Sequence, residues 1–146
     1  MPSVRGCNLP DDLLYDVDNH IWFTEMGDGT VKIGMTAVAT AMAGKLVAFT
    51  PKKVGRSVRA GKSCGTLESG KWVGPAKSAA GGEVMAVNDD LVADPSIANE
   101  DPYEKGWLII LKPEDWDSVK GSLVAGSDVT APYEAKMDSE GFAGCA

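Results

Sequence analysis

From Val31 to Leu111 the chain runs in short apolar or alternating segments, with Gly, Pro or a charged turn arriving about every eight to twelve residues. Strands fit that rhythm better than long helices. Val31-Lys32-Ile33-Gly34-Met35 reads as a strand, Thr36 as an N-cap, Ala37 to Met42 as one short helix, and Gly44 as its stop. Strand character resumes over Lys45 to Thr50 and ends at Pro51, and Gly55 and Gly61 bracket a further extended stretch through Val58. Ser63 to Leu67, Gly82 to Val87 and Trp107 to Leu111 continue the series, which is the signature of a compact β sandwich or barrel. Beyond Leu111 the pattern changes. Pro113 suits a first helical turn, with Glu114, Asp115 and Asp117 near the positive end of a helix over Pro113 to Lys120. Gly121, Gly126, Pro132, Gly141 and Gly144 then predict a partly ordered tail with at most one more helical turn, around Tyr133 to Met137.

At 146 residues and 44% hydrophobic content there is material for one core, burying roughly two-thirds of the unfolded surface. No run approaches the roughly 18 apolar residues of a membrane span, and Met1 to Gly6 lacks a secretory apolar stretch, so a soluble, cytoplasmic monomer is expected. A net charge of −7 and a pI near 4.6 argue against nucleic-acid binding, which needs cations to displace counterions from phosphates. Three widely spaced cysteines argue against a disulfide scaffold. Cys7 and Cys145 are expected as free thiols in flexible termini, and Cys64 as a small apolar strand residue. One histidine, His20, makes a zinc site improbable and reads as a surface or packing residue. Against the acidic background, Lys52, Lys53, Arg56, Arg59 and Lys62 form a basic stretch, either a solvated hairpin or a docking surface for an acidic partner.

Gly65-Thr66-Leu67-Glu68-Ser69-Gly70-Lys71 has the glycine and lysine spacing of a phosphate-binding loop, but Trp72 stands where the metal-binding hydroxyl belongs. Gly74 and Pro75 also forbid the helix that must follow, and Glu68 would repel the phosphate. Ser69 lacks the glycines of a nucleophile elbow, and His20 is the sole imidazole that could serve as its base. What remains is Lys71 displayed in a turn.

The ordered residues on either side of that turn resemble the H protein of the glycine cleavage system, a small lipoyl carrier, over roughly residues 15 to 116. Tyr15-Asp16-Val17-Asp18-Asn19-His20-Ile21-Trp22 is similar to the family's opening tyrosine followed by histidine and tryptophan. Ile33-Gly34-Met35-Thr36 resembles its isoleucine-threonine helix start, and Val54-Gly55, Val58 and Ala60-Gly61 its glycine-bounded strand. Glu68-Ser69-Gly70-Lys71 resembles its glutamate-serine-any-lysine turn; Val87-Asn88, Asn99-Glu100-Asp101-Pro102-Tyr103 and Gly106-Trp107-Leu108 resemble its later signature. Biotin carriers are less similar, because their lysine lies between two methionines.

The resemblance implies a mainly β (α+β) fold, a lipoyl/biotinyl-type sandwich or flattened barrel with short peripheral helices. Its carrier domain would span residues 15–112, after a lead-in at 1–14 and before a helical, partly flexible extension at 113–146. It implies lipoic acid in amide linkage to Lys71, with Glu68, Ser69, Gly70 and Trp72 as the flanking turn, and a carrier rather than an enzyme. Gly70 would supply backbone angles that a side chain resists. Two features depart from the usual H protein: Trp72 in place of a small residue, and Ser78-Ala79-Ala80-Gly81-Gly82 in place of a proline-containing turn. With Val73 and Gly74, the segment Glu-Ser-Gly-Lys-Trp-Val-Gly resembles the lipoate-binding proteins of bacterial sulfur oxidation. Their implied partners are a heterodisulfide-reductase-like complex, a lipoate-attaching enzyme and a dihydrolipoyl dehydrogenase. The ordinary alternative is the glycine cleavage carrier of an aminomethyl group.

Overall fold

The computed structural model describes residues 3–145, and its strands fall largely where the apolar runs predict them. In chain order they are β1 (Ser3–Val4), β2 (Cys7–Asn8), β3 (Leu14–Asp16), β4 (Ile21–Glu25), β5 (Val31–Met35), β6 (Leu46–Pro51), β7 (Ser57–Val58), β8 (Lys62–Ser69), β9 (Val73–Ser78), β10 (Gly82–Val87), β11 (Ile109–Pro113) and β12 (Val124–Ala125). The helices are α1 (Ala37–Ala43), α2 (Asp89–Ala93), α3 (Ile97–Glu100), α4 (Trp116–Ser122) and α5 (Thr130–Glu140). A seven-stranded sheet in the order β12-β3-β4-β5-β11-β10-β7 packs against a three-stranded sheet β6-β8-β9, and β1-β2 form a separate hairpin. The lipoyl-type sandwich stands, but the flattened-barrel expectation is corrected. Both sheets keep open edges, at β12 and β7 in one and at β6 and β9 in the other.

Between the sheets, the inward residues of alternating strands make one core. Phe23, Ile33, Leu67, Val84, Leu108 and Leu111 are each almost fully buried there. In β8 the alternation is legible directly: Leu67 and Ser69 face in, whereas Thr66 and Glu68 face solvent. Cys64 is buried in the same strand and its thiol is pushed up to about 12 by burial, so it is the inert packing residue the sequence suggests.

A second core lies on the other side of β4, where Trp22 and Val38 meet Val4, Leu9, Val129, Tyr133 and Met137. Three expectations change here. The tail is not largely irregular: α5 has eleven residues and buries Tyr133 and Met137, one helical turn apart. Pro132 occupies its first turn, where the missing N–H has no intrahelical partner to lose, so it starts the helix instead of breaking it. The preceding helix begins at Trp116 rather than Pro113, because Pro113 pairs with Gly82 at the end of β11. Trp116 then packs on Phe23 and donates its indole N–H to Glu25 at 3.0 Å.

The third change concerns the cysteines. Cys7 and Cys145 are not free thiols but a disulfide, with Cα atoms 5.0 Å apart and a sequence separation of 138. Their spacing carried no hint of this, since it is the tertiary return of α5 that brings the two ends together. Arg5 fastens the same junction: its guanidinium donates to the Phe142 carbonyl at 3.1 Å, and its carbonyl accepts from Cys145 N–H at 3.0 Å.

Candidate functional site

Lys71 stands at the tip of the β8–β9 hairpin, exposed, on a turn whose closure is short and specific. Glu68 pairs with Val73, and the Ser69 N–H donates to the Trp72 carbonyl at 2.7 Å. The buried Ser69 hydroxyl accepts the Lys71 N–H at 3.3 Å, so the backbone of the lysine is held while its side chain stays exposed. Gly70 is not needed for left-handed backbone, which corrects the sequence expectation: its φ lies outside that region and nothing lies within 4 Å of the position a Cβ would take.

The glycine that matters is Gly44. It ends α1 with a φ of 82°, and the Lys71 Cε lies 3.1 Å from where its Cβ would stand. Lys71 therefore rests on the C-terminal end of α1. Asn99 locks that end by donating to the Gly44 carbonyl at 2.8 Å and accepting from Leu46 N–H at 2.9 Å. At the other end Thr36 caps the helix as predicted, accepting from Ala39 N–H at 3.2 Å. We expect Gly44→Ala to cost about 1 to 2 kcal/mol, through backbone strain and collision with the lysine stem. Gly70→Ala should be neutral or stabilising by up to about 1 kcal/mol; urea denaturation of the two variants checks the contrast.

Trp72 lays its indole on Gly74 of its own hairpin, leaving no room for a Cβ there, and remains 37% exposed. It forms one wall of a cleft of about 270 Å³ whose floor is Met35, Ala39, Met42, Ala43, Leu67 and Ala76. The rim is polar, with Asn19, His20 and Glu140.

His20, read from the sequence as a surface or packing residue, packs at the rim of this cleft. Its ring stacks on Tyr133, Nδ1 lies 3.1 Å from the Tyr133 hydroxyl, and Nε2 lies 2.8 Å from Glu140 Oε1. Thr36 Oγ1 is 3.1 Å from that same tyrosine hydroxyl. Burial lowers the His20 pKa below its ordinary 6.5 although Glu140 pulls the other way. A neutral ring satisfies every contact: Thr36 donates to Tyr133, Tyr133 donates to Nδ1, and Nε2–H donates to Glu140. The φ of His20 is 58°, which a non-glycine residue adopts only when its surroundings impose it. No local signal marks this network, because two of its four members sit on α5.

A lowered histidine pKa favours the unprotonated folded form. The unfolded chain takes up its proton as pH falls through 6.5, so this contribution to stability is complete above that pH and declines below it. As His20 is the sole histidine, urea midpoints should drop between about pH 7.5 and pH 5.5, and the drop should vanish in His20→Asn, a residue that tolerates positive φ.

The basic stretch lies at the opposite end of β8 from Lys71, joined there by Lys77, which pairs with Ser63. All six cations are exposed and none forms an ion pair among the described residues. No group of His, Cys, Asp and Glu that could hold a metal occurs among those residues, and no helix is long and apolar enough to cross a membrane.

This arrangement of a lysine hairpin, one short helix beneath it and two packed sheets coincides with a match to the glycine cleavage H-protein family over residues 13–136. The chain belongs to that family. Members of the family carry lipoic acid covalently on a lysine and act as lipoyl carriers. Glycine cleavage system H protein 5 of Aquifex aeolicus is 49% identical over 128 residues, covering 85% of this chain and 86% of the relative. H protein 2 of the same organism is 40% identical over 136 residues, covering 93% and 84%. Probable H protein 2 of Sulfurisphaera tokodaii is 38% identical over 142 residues, covering 96% and 95%. The crystal structure of an H protein from Mycobacterium marinum superposes with a TM-score of 0.71 at 36% identity, over 81% of this chain and 93% of that one.

Proposed function

We propose that Lys71 is the lipoyl attachment site and that the chain shuttles a group between partner enzymes, as a glycine cleavage H protein does for the aminomethyl group. The observation that carries this reading is the position of Lys71, exposed on a clamped hairpin tip and lying along the C-terminal end of α1. The cleft beside it fits the group: an aliphatic arm and a dithiolane ring suit a floor of two methionines, alanines and leucine with an indole wall. When bound, lipoic acid supplies a disulfide that can be reduced, loaded and reclosed. The protein's part is positional. Ser69 and Gly44 fix where the arm begins, Trp72, Met35 and Met42 offer it an apolar rest away from water, and His20 and Glu140 present a hydrogen-bonding rim to its cargo. Its partners would include the lipoate-attaching enzyme and a dihydrolipoyl dehydrogenase.

A second reading, transport of sulfur intermediates to a heterodisulfide-reductase-like complex, is favoured by Trp72 and the Glu68-to-Gly74 segment. It is also favoured by the numbering of the relatives, since H proteins 5, 2 and 3 belong to a single organism and leave room for carriers with different clients. Intact-mass and peptide analysis of protein from its native host tests the shared claim: a lipoyl mass on the peptide holding Lys71 is expected, and its absence overturns it. Incubation of the lipoylated chain with glycine and the glycine cleavage decarboxylase separates the readings. An aminomethyl adduct supports the first; no adduct, with a reductase-like complex copurifying, supports the second.

A further inference from the structure

We propose that the Cys7–Cys145 pair is a second redox site of this chain, which exchanges electrons with the lipoyl arm and is closed to the disulfide by it. The inference rests on Lys71 being the attachment site. Helix α1 joins the two places. At its C-terminal end the Lys71 Nζ lies 3.8 Å from the position a Cβ would take on Gly44. At its N-terminal end the Cys145 Sγ lies 3.7 Å from the Ala37 carbonyl oxygen. Ala37 and Gly44 are one heptad apart, within about 20° of two full turns, so both lie on one face of the helix. The axis between them is about 10 Å long. Seven bonds from Nζ to the nearer lipoyl sulfur span roughly 9 Å, and the exposed lysine stem swings besides.

The path along that face is open. Ala41, between the two ends, is exposed and carries only a methyl. A groove of about 400 Å³ lies on this side of α1, lined by Ala37, Thr40, Ala41, Asn99 and both cysteines. It is distinct from the Trp72 cleft, to which α1 contributes Ala39, Met42 and Ala43. Lys71 thus stands where an arm can lie to either side of the helix.

The two sulfurs are unequal, which orders the chemistry. Cys145 is exposed and Cys7 is fully buried. In the reduced pair the Cys145 thiolate attacks one sulfur of the lipoyl ring; the ring S–S bond breaks, and a mixed disulfide and one arm thiolate form. The Cys7 thiolate then attacks the Cys145 sulfur, which closes the cysteine disulfide and releases the second arm thiolate. Two electrons and the two thiol protons pass from the cysteines to the arm, and no outside oxidant enters. The direction follows from the fold. The disulfide ties ends far apart in sequence and stabilises the folded chain, so by reciprocity folding stabilises the disulfide and makes the paired cysteines the better reductant. Tethering gives the arm an effective concentration in the millimolar range, which no free dithiolane in a cell matches.

The test uses the full lipoylated chain, reduced at the arm and at every cysteine, freed of reductant and kept anaerobic. Dihydrolipoyl dehydrogenase with excess NAD+ then reoxidises the arm, and NADH formation counts the electron pairs that leave. About two NADH per chain are expected in place of one, because the cysteine pair refills the arm once. Peptide masses after alkylation in denaturant should show Cys7 and Cys145 joined and Cys64 still a thiol. Lipoylated Cys145→Ser should stop at about one NADH, and the unlipoylated chain should give none and keep all its thiols. The rate constant should not change when the chain is diluted about tenfold, since the exchange is intramolecular. One NADH per wild-type chain, a rate constant that falls on dilution, or equal disulfide formation without the arm overturns the proposal. A chain that takes up no lipoyl mass at Lys71 overturns the attachment reading and this proposal with it, whereas a reoxidised arm beside two free thiols overturns this proposal alone.

Discussion

Lys71→Arg is expected to lower lipoylation by well over a hundredfold while leaving stability within about 0.5 kcal/mol of the parent, if Lys71 is the acceptor proposed above. The side chain is exposed and lies along Gly44, so the fold loses little. Arginine keeps the charge and the length of the lysine stem but has no amine that becomes nucleophilic at neutral pH, because its guanidinium stays protonated. Retention of charge also separates loss of the acceptor from loss of electrostatic attraction to the ligase. The check is the intact mass after exhaustive reaction, together with a urea curve. A lipoyl mass on the arginine variant at another lysine would show that the hairpin does not select its own residue.

The second large effect concerns stability. Opening the Cys7–Cys145 disulfide, by reductant or by Cys7→Ser, should cost about 5 kcal/mol, because the bond closes a loop of 138 residues and removes that freedom from the unfolded chain. The loss should be local in the native state as well. Arg5, Phe142 and Cys145 meet at this junction, and α5 brings Tyr133 and Glu140 to His20, so release of the C-terminal end should loosen the rim of the cleft. Urea unfolding with and without reductant measures the global term, and hydrogen exchange along α5 the local one. Matching midpoints, or two titratable thiols in the untreated chain beside buried Cys64, would count against it. Cys64→Ser, made in parallel, has no loop to open.

These two predictions mark how far the chain could be read before its structure. The turn from Glu68 to Val73 was legible because its determinants are local: alternation in β8, a hairpin of three intervening residues, and a lysine no phosphate motif could claim. Thr36 and the helix behind it were legible for the same reason, a side-chain cap followed by small helix-forming residues. The network of Thr36, His20, Tyr133 and Glu140 was not, since its members are up to 120 positions apart and only the return of α5, with Tyr133 against Tyr15 and His20, unites them. The glycines and proline of the tail pointed to irregular chain. Tyr133 and Met137 override them by burying their side chains in the second core. Trp72 is seated on Gly74 and walls the cleft, a placement that needs the hairpin to close and that no local pattern announces.

The six cations gathered at one end of β8 give the molecule an electrical axis. The other eight Lys and Arg residues, set against 21 Asp and Glu, leave the remainder at −13. In the field of an anionic surface the carrier turns its cationic heel inward and holds the hairpin tip outward; beside a cationic surface it turns the other way. Acylation at Lys71, as proposed, would remove a positive charge from the tip and steepen that axis. A lipoylated and an unmodified chain would then present themselves differently before any side chains touch, and at physiological ionic strength salt should erase the difference beyond a Debye length of about 8 Å.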